Sequence, residues 1–105
     1  MSTSETKNER TKNLSFIIKT TGEIVPTVPE GSEFSPEQIR SYVAGPPELF
    51  CRTHDGFFLF HNKEGKARGL RRNRFATAMY LTPTQATDSL LGIVFAAHPD
   101  HIAGY

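Results

Sequence analysis

Two runs rich in β-forming residues, 49–53 and 57–62, flank the dipeptide Asp55-Gly56. That arrangement commits the middle of the chain to an antiparallel hairpin. Asp-Gly favours a two-residue turn in which both positions take positive φ, and such a turn sets the register. His54 then faces Phe57, Thr53 faces Phe58, Cys51 faces Phe60 and Phe50 faces His61. Side chains alternate across a strand, so one face carries Leu49, Cys51, Thr53, Phe58 and Phe60, the expected core. The other carries Phe50, Arg52, His54, Phe57, Leu59 and His61, a mixed face that is either half exposed or a binding surface.

The flanking segments supply the rest of a fold. In residues 14–20, Leu14, Phe16 and Ile18 alternate with Ser15, Ile17 and Lys19, which predicts a strand with its better apolar face on the even positions. Thr21-Gly22 turns the chain, and residues 23–28 return as a second strand. Pro26 has no N–H to give, so this strand is expected at an edge or broken early. Ser35-Pro36-Glu37-Gln38 is a helix start: Ser35 caps, Pro36 suits the first helical position, and Gln38 completes a capping box. Ile39, Tyr42 and Val43 form its apolar stripe, Gly45 ends it, and Pro46-Pro47 prevents its resumption. Residues 63–66 read as a turn. Asn73 is placed to cap a second helix from Arg74 to about Leu81, which Thr82-Pro83-Thr84 breaks. Residues 89–97 hold so few polar side chains that they are expected as a strand in the middle of the sheet. The order is β-β-α-β-β-α-β, an α+β fold with a mostly antiparallel sheet of about five strands and two short helices.

A chain of 105 residues accommodates one such core and not two. Residues 1–13 are polar, mixed in charge and nearly free of apolar groups, so they read as a disordered tail before a single domain at 14–105. They contain no signal-peptide stretch. No run approaches the roughly 18 apolar residues of a spanning helix. The single cysteine, Cys51, forms no internal disulfide framework. The expectation is a cytoplasmic protein without membrane partners.

The net charge of +1 conceals a division. Residues 63–74 contain Lys63, Lys66, Arg68, Arg71, Arg72 and Arg74 against one acid, Glu64, a local charge of +5 that leaves the remainder at −4. Such a distribution bears on partners rather than on fold.

The run Gly65-Lys66-Ala67-Arg68-Gly69-Leu70-Arg71-Arg72-Asn73-Arg74-Phe75-Ala76-Thr77 resembles the core of a family catalogued as domain of unknown function 3846. The pattern is a hairpin ending in N-x-E-G-K, here residues 62–66, followed by G-L-x-x-N-x-x-A-T, here residues 69–77. An apolar strand containing glycine comes next, here Leu90-Leu91-Gly92-Ile93-Val94. The resemblance spans about residues 14–97 and implies a phage or mobile-element setting, with no activity and no catalytic residues. The arginine-rich filling and the additional residues 82–87 depart from the pattern.

Three kinds of chemistry are open to these residue types. Lys66, Arg68, Arg71, Arg72 and Arg74 are candidates to hold phosphates or carboxylates by charge and by bidentate hydrogen bonds. Asn73 joins them if free N–H groups at its helix start add an anion site. The plainer reading is that Gly65, Gly69 and Asn73 serve turns and a cap, and that the charges form a solvated rim. A metal site from Cys51, His54, His98 and His101 is disfavoured, because Cys51 and His54 point to opposite faces of a strand and Pro99-Asp100 reads as a turn. A thiol nucleophile is disfavoured because Cys51 alternates into a core face. No cofactor motif is present. The leading reading is a small non-enzymatic binding module that engages a phosphate-bearing or acidic partner: nucleic acid, a nucleotide or an acidic host protein. The alternative is a protein-interaction or host-factor inhibitor domain that uses Phe50, Phe57 and Leu59. A small hydrolase or transferase would need a polar pocket containing His54 or His61.

Overall fold

The computed structural model describes residues 13–82 and 90–102. Its elements are β1 (Ser15–Ile18), β2 (Ile24–Thr27), α1 (Pro36–Val43), β3 (Pro47–Arg52), β4 (Phe58–Asn62), α2 (Arg74–Tyr80) and β5 (Val94–Ala97), followed by a 3-10 turn at Pro99–His101. The five strands lie in the order β2-β1-β5-β4-β3, and every neighbouring pair is antiparallel. This is the expected α+β architecture, with the last strand central and the Pro26 strand at an edge. Among the described residues no helix is long and apolar enough to cross a membrane.

The centre of the sheet is covered on both faces, which explains why β5 is buried at every position. On one face α1 lays Ile39 and Val43 against Phe58, Phe60, Phe95 and Ala97. Phe95 meets Phe34 edge-on at 4.8 Å and Tyr42 at 4.9 Å, contacts within the favoured range for aromatic pairs. On the other face α2 lays Ala76 against Ile18, Leu59, Val94 and Ala96, with Leu90 in the same cluster. Full burial of a Phe or Leu side chain contributes about 1.5–3 kcal/mol, so the two clusters are the main source of stability.

Pro26 is tolerated for a reason visible in the ladder. The Lys19 amide donates to the Glu23 carbonyl at 2.9 Å. Hydrogen-bonded pairs alternate in an antiparallel ladder, so Ile17–Val25 and Ser15–Thr27 are bonded pairs and Phe16–Pro26 is not. The Pro26 nitrogen therefore faces the open edge, where it removes a donor that another strand would use.

The hairpin differs from the expected one. The Thr53 amide pairs with the Phe57 carbonyl at 2.7 Å, leaving His54, Asp55 and Gly56 as a three-residue loop. Among the described residues outside glycine only Ala44 has positive φ, so Asp55 does not take the conformation a two-residue turn demands, whereas Gly56 sits at φ +96°. A bulge at Phe50 then shifts the register again, and Cys51 stands opposite Leu59 while Leu49 stands opposite Phe60. The expected faces are corrected accordingly. Phe58 and Phe60 are core as expected, but Leu49 is 38% exposed and Cys51 lies in the α2-side cluster. The residues expected on the mixed face divide: Leu59 is wholly buried, with Phe50 and Phe57 half-buried in the same cluster, whereas Arg52 and His54 are exposed.

One boundary also moves, that of the last strand, and two others fall at the limits of the described residues. Of the expected N-terminal tail, residues 1–12 lie outside the described residues, while Asn13 donates its side-chain amide to the Asp100 carboxylate at 3.3 Å. α2 ends at Tyr80, and Pro83 and Thr84 of the expected breaker lie outside the described residues. The expected strand at 89–97 is regular only from Val94, because Gly92 turns the backbone at φ +77°. Ser89 lies outside the described residues.

Candidate functional site: an arginine-rimmed groove

The basic segment is a frame of turns that ends in a short piece of pairing. The Gly65 amide bonds to Asn62, Arg68 to Glu64 and Leu70 to Gly65, at 3.0, 2.9 and 2.9 Å respectively. Leu70 then drops against Gly92, where a Cβ would lie 2.9 Å from its Cδ1. The chain next pairs across to 90–92: Gly92 N–H donates to the Arg71 carbonyl and Asn73 N–H to the Leu90 carbonyl, each at 2.7 Å, with Arg72 opposite Leu91. This tether fixes the backbone from which Arg71 and Arg72 project, just before α2 begins at Arg74.

Asn73 is the pin of that tether. Its side-chain amide donates to the Ile18 carbonyl at 2.8 Å and the Gly92 carbonyl at 2.9 Å, and its Oδ1 accepts from the Ala76 amide at 2.9 Å. Its backbone carbonyl accepts from the Thr77 hydroxyl at 2.8 Å. The residue is 0% exposed. Grouped with the arginines on sequence grounds, Asn73 spends its side chain on the protein's own backbone. It joins β1, the approach to β5 and the start of α2, and α2 itself has only seven residues.

The cations do not act as one cluster. Arg71, Arg72 and Arg74 line a groove of about 720 Å³ between the β1–β2 turn and α2, together with Thr20, Gly22, Ile24, Phe75, Ala78 and Met79. Arg68 points elsewhere: its Nε lies 3.7 Å from a Glu64 carboxylate oxygen, and it lines a separate depression beside Glu37 and Arg40 at the end of α1. Lys66 is exposed on the turn and lines neither depression. Arg71 and Arg74 make no ion pair with any described residue.

The floor of the groove is apolar. Ile24, Phe75 and Met79 are 44%, 47% and 48% exposed, and they are three of the five large hydrophobic residues exposed among those described. Gly22 makes room for Phe75, since a Cβ there would meet the ring at 2.9 Å. Positive φ, +97°, also requires glycine at that position. Sequence reading identified the rim and missed the floor, because Ile24 comes from a distant hairpin. Phe75 beside Arg74 and Met79 four residues further along α2 were the local signals available.

The remaining titratable groups are placed for structure. Burial pushes the Cys51 thiol up, which favours its protonated form over the nucleophilic thiolate. Tyr80 is raised by burial first and then by Asp55. The His98 and His101 rings lie 5.4 Å apart around the 3-10 turn. Ser15 Oγ accepts from the His98 amide at 2.8 Å and shares a hydrogen bond with His101 Nδ1 at 3.1 Å, its direction set by the imidazole tautomer. Among the described residues no three His, Cys, Asp or Glu side chains converge. His54 is exposed in the hairpin loop, and His61 bonds Glu48 at 3.0 Å beneath Phe50; neither lines the groove.

No protein-family model matches the chain, and neither the curated proteins nor the solved structures yield a match.

Proposed function

We propose that this protein is a small non-enzymatic binding module, of the phage or mobile-element kind its motifs resemble, which engages an anionic macromolecule through the groove between α2 and the β1–β2 turn. The observation that carries this reading is the coincidence of two surfaces. Three arginines rim a groove floored by most of the exposed large apolar side chains of the described chain. Either feature alone is ordinary on a protein surface. Together they match a partner that presents negative charge next to apolar bulk.

Arg71 and Arg74 are the residues expected to matter most, since neither has an ion pair among the described residues and both keep the planar donor fork that suits carboxylate or phosphate. Arg68, paired with Glu64, is expected to matter less. The alternative surface of Phe50, Phe57 and Leu59 is weaker support for partner capture, because Leu59 is buried beneath α2.

The test is binding of simple anionic probes, poly-glutamate and oligothymidylate, followed by NMR on the whole chain at low and high salt. Shifts are expected around Arg71, Arg74 and Phe75, fading as salt screens the rim. The R71E/R74E double variant should abolish them with a melting temperature near that of the parent, because exposed substitutions usually change stability by less than about 0.5 kcal/mol. Shifts centred on Arg68, or none with either polyanion, would count against this site.

A further inference from the structure

The shape of the groove narrows the class of partner. Resting on the binding-module reading of that groove, we infer that its occupant is an amphipathic helix of a partner protein, with acidic residues gathered at one end of an apolar ridge.

Four observations select this occupant. The floor residues each remain nearly half exposed. Sites for small amphiphiles bury about 70–90% of the ligand's surface, and a trough this shallow suits a ridge of side chains instead. Phe75 and Met79 stand at i and i+4 on α2, with Ile24 across from them on the hairpin. That gives an apolar surface about 6 Å long at 1.5 Å per residue, little more than one turn of a docking helix. Its complement is a cluster of anchors within about one turn, at i, i+3 and i+4.

The charge is also directional. Arg71 and Arg72 precede α2 and Arg74 is its first residue, so the cations crowd one end of the groove and the partner's carboxylates belong at that end. An added strand is a poorer occupant, because Pro26 turns its nitrogen to the open edge of β2 and withholds the donor a new ladder needs.

Nucleic acid fits less well. Single-strand binders stack successive bases on several aromatic rings, whereas this floor has one ring, Phe75, between an isoleucine and a methionine. The remainder of the chain carries −4, which opposes a long polyanion but not a short acidic segment. The chain's own undescribed segments do not complement the groove either. Residues 1–12 carry more basic than acidic side chains, and residues 83–89 hold one acid and no large apolar residue.

The experiment uses the full chain and a designed helical peptide with Leu at i, i+3 and i+4 and Asp or Glu clustered at one end. Three comparators accompany it: Leu replaced by Ser, acids replaced by Asn and Gln, and oligothymidylate. The acidic amphipathic peptide should bind saturably, with shifts at Ile24, Phe75 and Met79. Each Leu→Ser change should weaken it by about tenfold, the worth of one leucine-sized side chain. R71E/R74E should weaken it by about tenfold or more, and Met79→Gln, which leaves all charges in place, should also weaken it.

Equal binding of the Ser-substituted peptide would overturn the helix inference while leaving a simple anion site. Tighter binding of oligothymidylate at the same resonances would replace the protein partner by nucleic acid. No probe binding in the groove would remove both the inference and the binding-module reading beneath it.

Discussion

Asn73 shows how a residue that looks functional in sequence can be structural. It sits amid arginines, opens a helix and is polar, all of which suit a ligand contact. The fold uses both of its amide hydrogens on buried carbonyls and its oxygen on the α2 cap. The cap was legible in the sequence, because an Asn before a helical stripe has few other roles. The two carbonyl contacts were not, since Ile18 lies 55 residues away in the chain. Asn73→Ala removes the cap and strands two buried acceptors, for an expected loss of about 2–4 kcal/mol. Asn73→Asp keeps the cap oxygen but turns a carboxylate toward the Ile18 and Gly92 carbonyls, and it is expected to destabilise at least as much. Urea unfolding of both variants decides the matter. A change under about 0.5 kcal/mol in Asn73→Ala would mean that the contacts are replaceable.

At the scale of elements, strongly local signals were readable and shared ones were not. The Ser35–Gln38 capping box forms as expected, with Gln38 N–H on Ser35 Oγ at 3.1 Å and Ser35 N–H on Gln38 Oε1 at 3.3 Å. The Asp-Gly turn was ambiguous, because a two-residue turn and a three-residue loop both place glycine at positive φ. Only Asp55 distinguishes them, and one residue of slip carried Cys51 to the opposite face. The end of α1 holds a similar ambiguity. Gly45 has the look of a left-handed cap, yet the left-handed residue is Ala44, at φ +59°, and the Gly45 amide closes back on Arg40 at 3.2 Å. Gly45 is needed for space instead: a Cβ there would lie 2.5 Å from Asn62 Nδ2, which bonds the Ala44 carbonyl. The two positions therefore respond oppositely. Ala44→Gly is expected to stabilise by up to about 1 kcal/mol by removing the left-handed penalty. Gly45→Ala should cost about 1–3 kcal/mol as Asn62 is displaced from a packed site. Thermal melts of the pair give the signs, and reversed signs would return the left-handed residue to position 45.

For the whole molecule, the groove joins a segment whose charge is plain in the sequence to a hairpin that topology alone brings beside it, so the part of the lining from Thr20, Gly22 and Ile24 had no local signature. A similar long-range junction closes the fold at its other end, and its histidine is where a sensitivity to acid is expected. His101 meets Ser15 of β1 through its ring, and its carbonyl accepts from the Phe34 amide at 2.9 Å ahead of α1. The His101 pKa is lowered from the usual 6.5, by burial first and then by His98, against an opposing pull from Asp100. The folded state therefore takes up this proton less readily than the unfolded chain. Its contribution to stability is complete above the unfolded value and is lost as pH falls through the lower folded value. Urea midpoints measured from pH 8 downward should hold steady to about 6.5 and then decline before the carboxylates begin to titrate. His101→Gln, which has no proton to gain, should flatten that decline while lowering stability at pH 8. A variant that keeps the full decline would assign the acid sensitivity to another group and leave the Ser15–His101 contact a matter of packing alone.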